Sequence, residues 1–573
     1  MSMHRSRTHA RLILAATLAC LTLAGCEYAQ NLAFLKASVN TEAQGHRSDE
    51  RGPAFDTAAI GRRAPDSATD WLTYNNTLSA VRYSPLAQIT TTNVASLRPV
   101  CTFGLGTAVD FQTGPVVVDG TMYVTSALAT WAIDARTCRL RWKHAYDYYP
   151  EPGWDLKVNR GVAYLDTPDG PRLFRGSNDG RVYALDARTG RELWNVKEGD
   201  VSLGETFPAA PVAWHGLVYI GNAGGDNFAV TGRMMALDAR TGANVWTVDL
   251  VPRVGPANLT WPAETARVPH AGGTTWTSYA ADTVAGVIWL ATGNAAPDFL
   301  ESARPGSNQH TYSILALDLR TGEIRKAFQL RDRDYHDWDM AATPLLVKSS
   351  LGHAMVVEAG KDGYLYAVDP ETGQVTYKSS TTSHVNDTMP LTAAGTRFCP
   401  GVQGGTEYNG PAYSPQTNML YVPAVDWCST VKLGTREELD DKAGLPWTGA
   451  KGLLHPFGVM DPQKSWSGWL TAYDAETGAT KWQYHSPTPM VAGVTATAGG
   501  LVFTADLRGN VLGFDARDGT IRFRASTGQP IGGGIVSYAV GGKQYLAVAS
   551  GMSAPMTWLT KSDAAKVVVY SLP

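Results

Sequence analysis

An all-β fold is what this sequence predicts: a closed, eight-bladed β-propeller of four-stranded antiparallel blades. Three observations predict it. A short phrase recurs along the chain, its copies stand about one four-stranded sheet apart, and the two ends supply incomplete units that complement each other.

The phrase is Asp, two residues, Thr-Gly, three residues, then an aromatic side chain. It stands at Asp134 with Trp142 (Cys138 in place of Gly), Asp186 with Trp194, Asp238 with Trp246, Asp369 with Tyr377, Asp474 with Trp482 and Asp515 with Phe523 (Asp518 in place of Thr). A further copy, Leu317-Asp318-Leu-Arg-Thr-Gly322, has no aromatic residue at the expected place. Asp and Gly build a tight turn, because Asp accepts from nearby backbone amides and Gly takes a positive φ. The aromatic side chain after the turn is expected to dock between neighbouring sheets. One sheet cannot bury both faces, so such units must stack. The aspartates are 52, 52, 80, 51, 105 and 41 residues apart. A blade takes about 40–50 residues, so the two long intervals carry insertions that shape one face.

Seven blades follow from the seven copies, and the termini close an eighth. Gly534–Ala549 reads as a hairpin and Lys566–Leu572 as a last strand. A segment near Trp71–Tyr74 is expected to complete that blade, since closure removes free sheet edges.

The N-terminus reads as an export signal. His4, Arg5, Arg7 and Arg11 precede an apolar run from Leu12 to Leu23, too short to span a membrane comfortably. The run ends in Leu23-Ala24-Gly25-Cys26, which is similar to a bacterial lipobox, so residues 1–25 are expected to be removed and Cys26 to be lipidated. Glu27 follows, which points to the outer membrane, and residues 26–65 read as a polar tether before a propeller at 66–573. Four further cysteines, Cys101, Cys138, Cys399 and Cys428, imply two disulfides in an oxidising compartment. Three connectivities are open, and pairing of sequence neighbours is the expected one.

Composition excludes several classes. With 49 basic and 52 acidic residues there is no electrostatic case for nucleic acid, and contact with a membrane is expected only through the lipid anchor. There is no Cys-x-x-Cys-His haem site, no P-loop, no His-Glu-x-x-His helix and no nucleophile elbow.

The repeats, with Tyr83-Ser-Pro-Leu86 before them and Val567-Val-Val-Tyr-Ser-Leu572 at the end, resemble the pyrroloquinoline quinone (PQQ)-dependent alcohol dehydrogenases. The resemblance implies a PQQ and a calcium ion on the ring axis. Gly272-Gly-Thr-Thr-Trp276 and Ala291-Thr-Gly-Asn294 resemble the segments that stack beneath the quinone and ligate the metal. Tyr335-His-Asp-Trp-Asp339 resembles the motif whose Asp is both catalytic base and metal neighbour, so Asp339 takes those roles. His336 and Asp337 are expected to shape the loop. Lys361, in Glu358-Ala-Gly-Lys361, and Arg160, in Val158-Asn-Arg160, match cations that contact the quinone. Asn409 is a further candidate contact. Ala341 stands where lanthanide-using members carry Asp, so calcium is the expected ion.

Departures from the family pattern are equally plain. Trp154 stands near the family's vicinal cysteines and is expected to stack on the quinone instead. Asp226 replaces a metal-binding Glu, Gln112 replaces another Glu, and a tryptophan wall of the substrate pocket is replaced near Asp298. The implied activity is oxidation of a small or polymeric alcohol in the periplasm, with electrons passed to a separate cytochrome c or other acceptor. The alternatives are a lipid-anchored scaffold of outer-membrane protein assembly, sharing the repeats without the cofactor, and a quinoprotein that has lost its quinone.

Overall fold

A computed structural model of the chain describes residues 67–147, 157–265, 267–452 and 454–573. The signal, tether, Cys26 and Trp154 readings lie outside these residues. Eight sheets of four antiparallel strands follow one another, the seventh extended by a short parallel strand at Tyr83–Ser84. Blade 1 spans 116–145, blade 2 163–197, blade 3 212–249, blade 4 280–329, blade 5 345–380, blade 6 412–486 and blade 7 495–526. In blades 1–7 the first strand of each sheet is the inner one: first strands of neighbouring blades touch, as 163–167 does 212–214 and 280–282 does 345–348. The fourth strands face outward and alternate exposed with covered residues, as in Leu140–Ala145.

The repeated phrase does what its chemistry requires. Asp186 Oδ1 accepts the backbone amides of Arg188 and Thr189, each at 2.9 Å, and the other repeat aspartates form the same type of turn. Trp142 of blade 1 donates its indole N–H to the Ala187 carbonyl of blade 2 at 3.1 Å. Its ring lies on Gly190, where φ is +72° and any Cβ would collide with the ring. Trp194, Trp246 and Trp482 repeat the indole bond to the next blade. In the copy headed by Asp318 the aromatic docking is done by Phe328, which covers Gly373 of blade 5. The turn there is intact, but its aromatic residue stands farther along the outer strand, at Phe328 rather than at Lys326.

Closure differs from expectation in one strand. Blade 8 consists of Ile535–Val540, Lys543–Ser550 and Lys566–Ser571, completed by Arg98–Gly104 paired antiparallel to Lys566–Ser571. Trp71 instead bridges Val117 of blade 1, with its side chain fully buried. The segment around Trp71 had the apolar look of a strand because it is core. The true outer strand is mostly exposed and so carries little apolar signal.

Both disulfides join sequence neighbours, Cys101–Cys138 and Cys399–Cys428. The first ties the closing strand of blade 8 to the repeat turn of blade 1, across 37 residues. Loop-closure entropy sets its value at about 3–4 kcal/mol. A Cys101→Ala, Cys138→Ala chain is therefore expected to unfold at distinctly lower denaturant, measured by intrinsic fluorescence, with opening at the blade 8–blade 1 seam.

Candidate active site

In a blade whose strands run inner to outer, the connection entering the inner strand and the connection between second and third strands lie on the same face. The sequence-derived site residues occupy only these two kinds of segment. Gln112, Arg160, Trp276, Asp339 and Asn409 precede inner strands, while Asp226, Asn294 and Lys361 lie between second and third strands. Residues far apart in sequence therefore gather around one mouth of the ring.

Asp339 is held from two sides. Its Oδ1 accepts the Asn294 backbone N–H at 3.0 Å, and its Oδ2 accepts the Lys361 ammonium at 3.1 Å. Lys361 also donates its backbone N–H to the Asp339 carbonyl at 2.9 Å. Gly293 leaves the room this needs, since a Cβ there would collide with Asp339 Oδ1. The preceding Trp338 is buried in the core and stacked on His336, with ring centres 4.1 Å apart, and this anchors the loop. His336 thus serves loop shape, as expected.

Asp337 does more than expected. Its carboxylate lies 3.7 Å from Lys361 Nζ and joins Asp226 and Asp298 in an acidic group. One ligand oxygen from each of the three lies within 4.8 Å of the others. Asp298 is fully buried, and neither of its oxygens has a hydrogen-bond partner among the described residues. Burial, then the repulsion of Asp226 and Asp337, pushes Asp298 well above the usual carboxylate range. Burial and Asp339 push Asp226 up to about 6, against the pull of Lys361 and a hydrogen bond from the Asn294 side chain. Burial would lower Lys361, but Asp337, Asp339, Glu407 and Asp226 outweigh it and hold the ammonium charged. A polyvalent cation with oxygen ligands fits this donor set: calcium-sized ions hold oxygens at about 2.3–2.6 Å, so oxygens sharing one ion stand up to about 5 Å apart.

Beside this group lies a flat, cationic seat. Arg160 is buried, its guanidinium centre 4.7 Å from the Trp276 ring and 5.0 Å from the Tyr408 ring. Its Nη1 donates to the Trp276 carbonyl at 3.0 Å, while its buried Nε has no partner among the described residues. Trp276 keeps part of its surface open. Gln112 donates to Asp110 at 3.1 Å and leaves its buried Oε1 without a partner among the described residues. An indole face and a guanidinium with a spare donor suit a planar, carboxylate-bearing cofactor, and the amide's spare acceptor suits an N–H or O–H group at its edge. Asn409 is occupied otherwise. Its amide donates to the Val491 and Gly532 carbonyls, at 2.7 and 3.0 Å, and its oxygen accepts from Tyr74. It ties blade 6 to blades 7 and 8.

Sequence reasoning missed Asp337, Asp298, Glu407 and Tyr408 as parts of the site. Glu407 is pushed up to about 7 by burial, with Lys361 and Arg160 opposing and Asp339 adding to the rise. The one sequence signal was an acidic residue, Asp298, where a tryptophan wall was expected.

Glu358, on the strand leading to Lys361, is a separate buried carboxyl. It is fully covered, with neither oxygen in a good hydrogen bond among the described residues. Burial raises it well above 4.5, the backbone amides of Ala342 and Ala359 opposing only weakly. A raised folded value means its contribution to stability is fully present below pH 4.5 and is lost as pH rises towards that folded value. Glu358→Gln, which has no charge to bury, is expected to gain on the parent chain as pH rises from 4.5 to about 8, seen as melting temperatures that diverge with pH.

Comparisons with known proteins point the same way. The family model for the glucose/ethanol/alcohol dehydrogenase β-propeller domain, designated PQQ, matches residues 71–380 and 376–546. The chain is 30% identical over 534 residues to the lanthanide-dependent methanol dehydrogenase of Methylacidiphilum fumariolicum (strain SolV), covering 84% of each. It is 31% identical over 552 residues to the dehydrogenase subunit of the quinone alcohol dehydrogenase of Acetobacter aceti, covering 85% of this chain and 72% of that one. Among solved structures, a europium-containing methanol dehydrogenase superposes with a TM-score of 0.79 at 26% identity, over 88% of this chain and 98% of the other.

Proposed function

Since the chain belongs to the PQQ-dependent glucose/ethanol/alcohol dehydrogenase family, we propose that it oxidises an alcohol to an aldehyde or ketone at the Asp339–Lys361 site, using PQQ and a metal ion. The observation that carries this reading is the pairing of a clamped carboxylate with a charged lysine beside an unpaired acidic group. A binding scaffold gains nothing from burying such charges, which cost several kcal/mol each when unpaired.

Each group has a task. Trp276 and Arg160 form the seat for the ring system, with Gln112 at its edge. Asp226, Asn294 and Asp339 hold the metal. When bound, the quinone and its metal supply an electrophilic carbonyl that accepts hydride. The Asn294 amide and Lys361 fix the Asp339 carboxylate, leaving a lone pair to take the alcohol proton. Lys361, kept charged, balances negative charge that develops as hydride leaves the substrate. The family resemblance makes calcium the default ion, but the donor set bears on that choice.

The enzyme acts in the periplasm, held by lipid on Cys26, and passes electrons to a separate cytochrome c or other acceptor. Two disulfides support an oxidising compartment. Cys26→Ser is expected to move the protein from the membrane to the soluble fraction, read by cell fractionation. The function itself is tested by dye reduction with primary, secondary and polymeric alcohols. Turnover that requires added PQQ and metal is expected with at least one class. Bound quinone that no alcohol reduces would refute it.

A further inference from the structure

Three carboxylates meet where the family resemblance called for one carboxylate and an amide beside the catalytic Asp. Asp226 comes from the loop within blade 3, Asp298 from blade 4, and Asp337 from the segment entering blade 5. Asp298 is the informative member. It is fully buried, both oxygens lack a partner among the described residues, and one of them lies within 4.8 Å of ligand oxygens of both others. Among the described residues nothing hydrogen-bonds this carboxylate and no cation stands within ion-pair distance of it, although Arg304 attracts it from farther away. Lys361 is engaged with Asp339 and Asp337, and the Arg304 guanidinium donates to the backbone carbonyls of Pro297, Asp298 and Asp334 rather than to the Asp298 side chain.

We propose that Asp298 and Asp337 are additional metal ligands, and that the charge they add makes this site prefer a trivalent cation of calcium's size over calcium itself. The proposal rests on the reading of this cluster as the metal site of a PQQ enzyme. Charge counting drives it. Asp226, Asp298, Asp337 and Asp339 bring four negative charges when ionised and Lys361 returns one, while ionised Glu407 and Arg160 offset each other. A divalent ion leaves the buried group net negative, whereas a trivalent ion neutralises it. Ligand charge count is a principal determinant of affinity for hard cations. Ala341, which by itself favours calcium, does not decide the matter, because carboxylates from other segments supply the charge. Two relatives described above are a lanthanide-dependent and a europium-containing methanol dehydrogenase, so the ring tolerates such ions.

The test is metal binding by the purified, metal-stripped full chain, read without turnover. Terbium(III) emission excited through tryptophan reports occupancy, with lanthanum(III) and calcium as competitors. Wild-type protein is expected to prefer lanthanum over calcium by about 100-fold or more. Asp298→Asn is expected to lower lanthanum affinity at least 10-fold and calcium affinity much less. Asp337→Asn is expected to act in the same direction, and exposed Asp563→Asn to change neither. Thermal unfolding of each variant confirms that it is folded. PQQ absorbance in the presence of calcium is recorded alongside. Calcium and PQQ binding without a lanthanum preference, or a preference untouched by Asp298→Asn, overturns the ligand assignment and leaves the dehydrogenase reading standing. Failure of PQQ and both metals to bind overturns that reading as well.

Discussion

Replacing Asp339 with Asn is expected to lower kcat on the order of 10²–10⁴-fold, the range for loss of a positioned general base. The amide has the shape of the carboxylate but cannot accept the alcohol proton at neutral pH. It also conflicts with its two donors. The Asn294 backbone N–H and the Lys361 ammonium each need an acceptor, and an amide offers one oxygen. One donor is left facing an NH₂ group, at a cost of about 1–3 kcal/mol. Turnover should therefore collapse while PQQ, seated on Trp276 and Arg160, still binds. Stopped-flow reduction of bound quinone by substrate separates the two. A variant that still reduces its quinone at the parental rate would move the base elsewhere.

Replacing Lys361 with Met is expected to affect both stability and catalysis. Lys361 is the one basic side chain within ion-pair distance of Asp337 and Asp339 among the described residues. Removing one partner of a buried pair costs about 3–5 kcal/mol, because the remaining charges are left uncompensated. Here the cost depends on metal. In metal-stripped protein the carboxylates repel one another unrelieved, whereas a bound cation supplies much of the missing positive charge. The melting temperature should fall more for stripped than for metal-loaded protein. Turnover should fall even in metal-loaded protein, since a metal restores charge but not the hydrogen bond that orients Asp339. Lys361→Arg should recover stability more than rate, its planar fork being a poor match for a single ammonium contact. Equal destabilisation with and without metal would mean that Lys361 does not counterbalance the metal carboxylates.

The legibility of this protein in its sequence divides along a physical line. Blade turns and docking aromatics were readable because their chemistry is local: Asp186, Gly190 and the indole of Trp142 from the preceding blade act within a few residues or at a fixed repeat. The strand that closes the ring was misplaced because Arg98–Gly104 lies on the outside and shows little apolar pattern, whereas Trp71 is core without being a blade strand. The family resemblance picked out Arg160, Trp276, Asn294, Asp339 and Lys361, and these residues gather at one mouth of the ring. The acidic group was not readable. Asp226, Asp298 and Asp337 come from three blades, and no local spacing announces that their oxygens meet. Asn409 shows the converse. The resemblance offered it as a cofactor contact, yet its hydrogen bonds are spent on Val491, Gly532 and Tyr74.

If this ring mouth is a seat for PQQ, the quinone itself must bind there. The metal-stripped full chain is titrated with PQQ by absorbance and calorimetry, with and without a polyvalent cation, alongside Trp276→Ala and Arg160→Leu. One PQQ per chain is expected, with binding that requires the cation and affinity weakened at least 10-fold in either variant. Absence of PQQ binding under every metal condition, or binding indifferent to both substitutions, would contradict it.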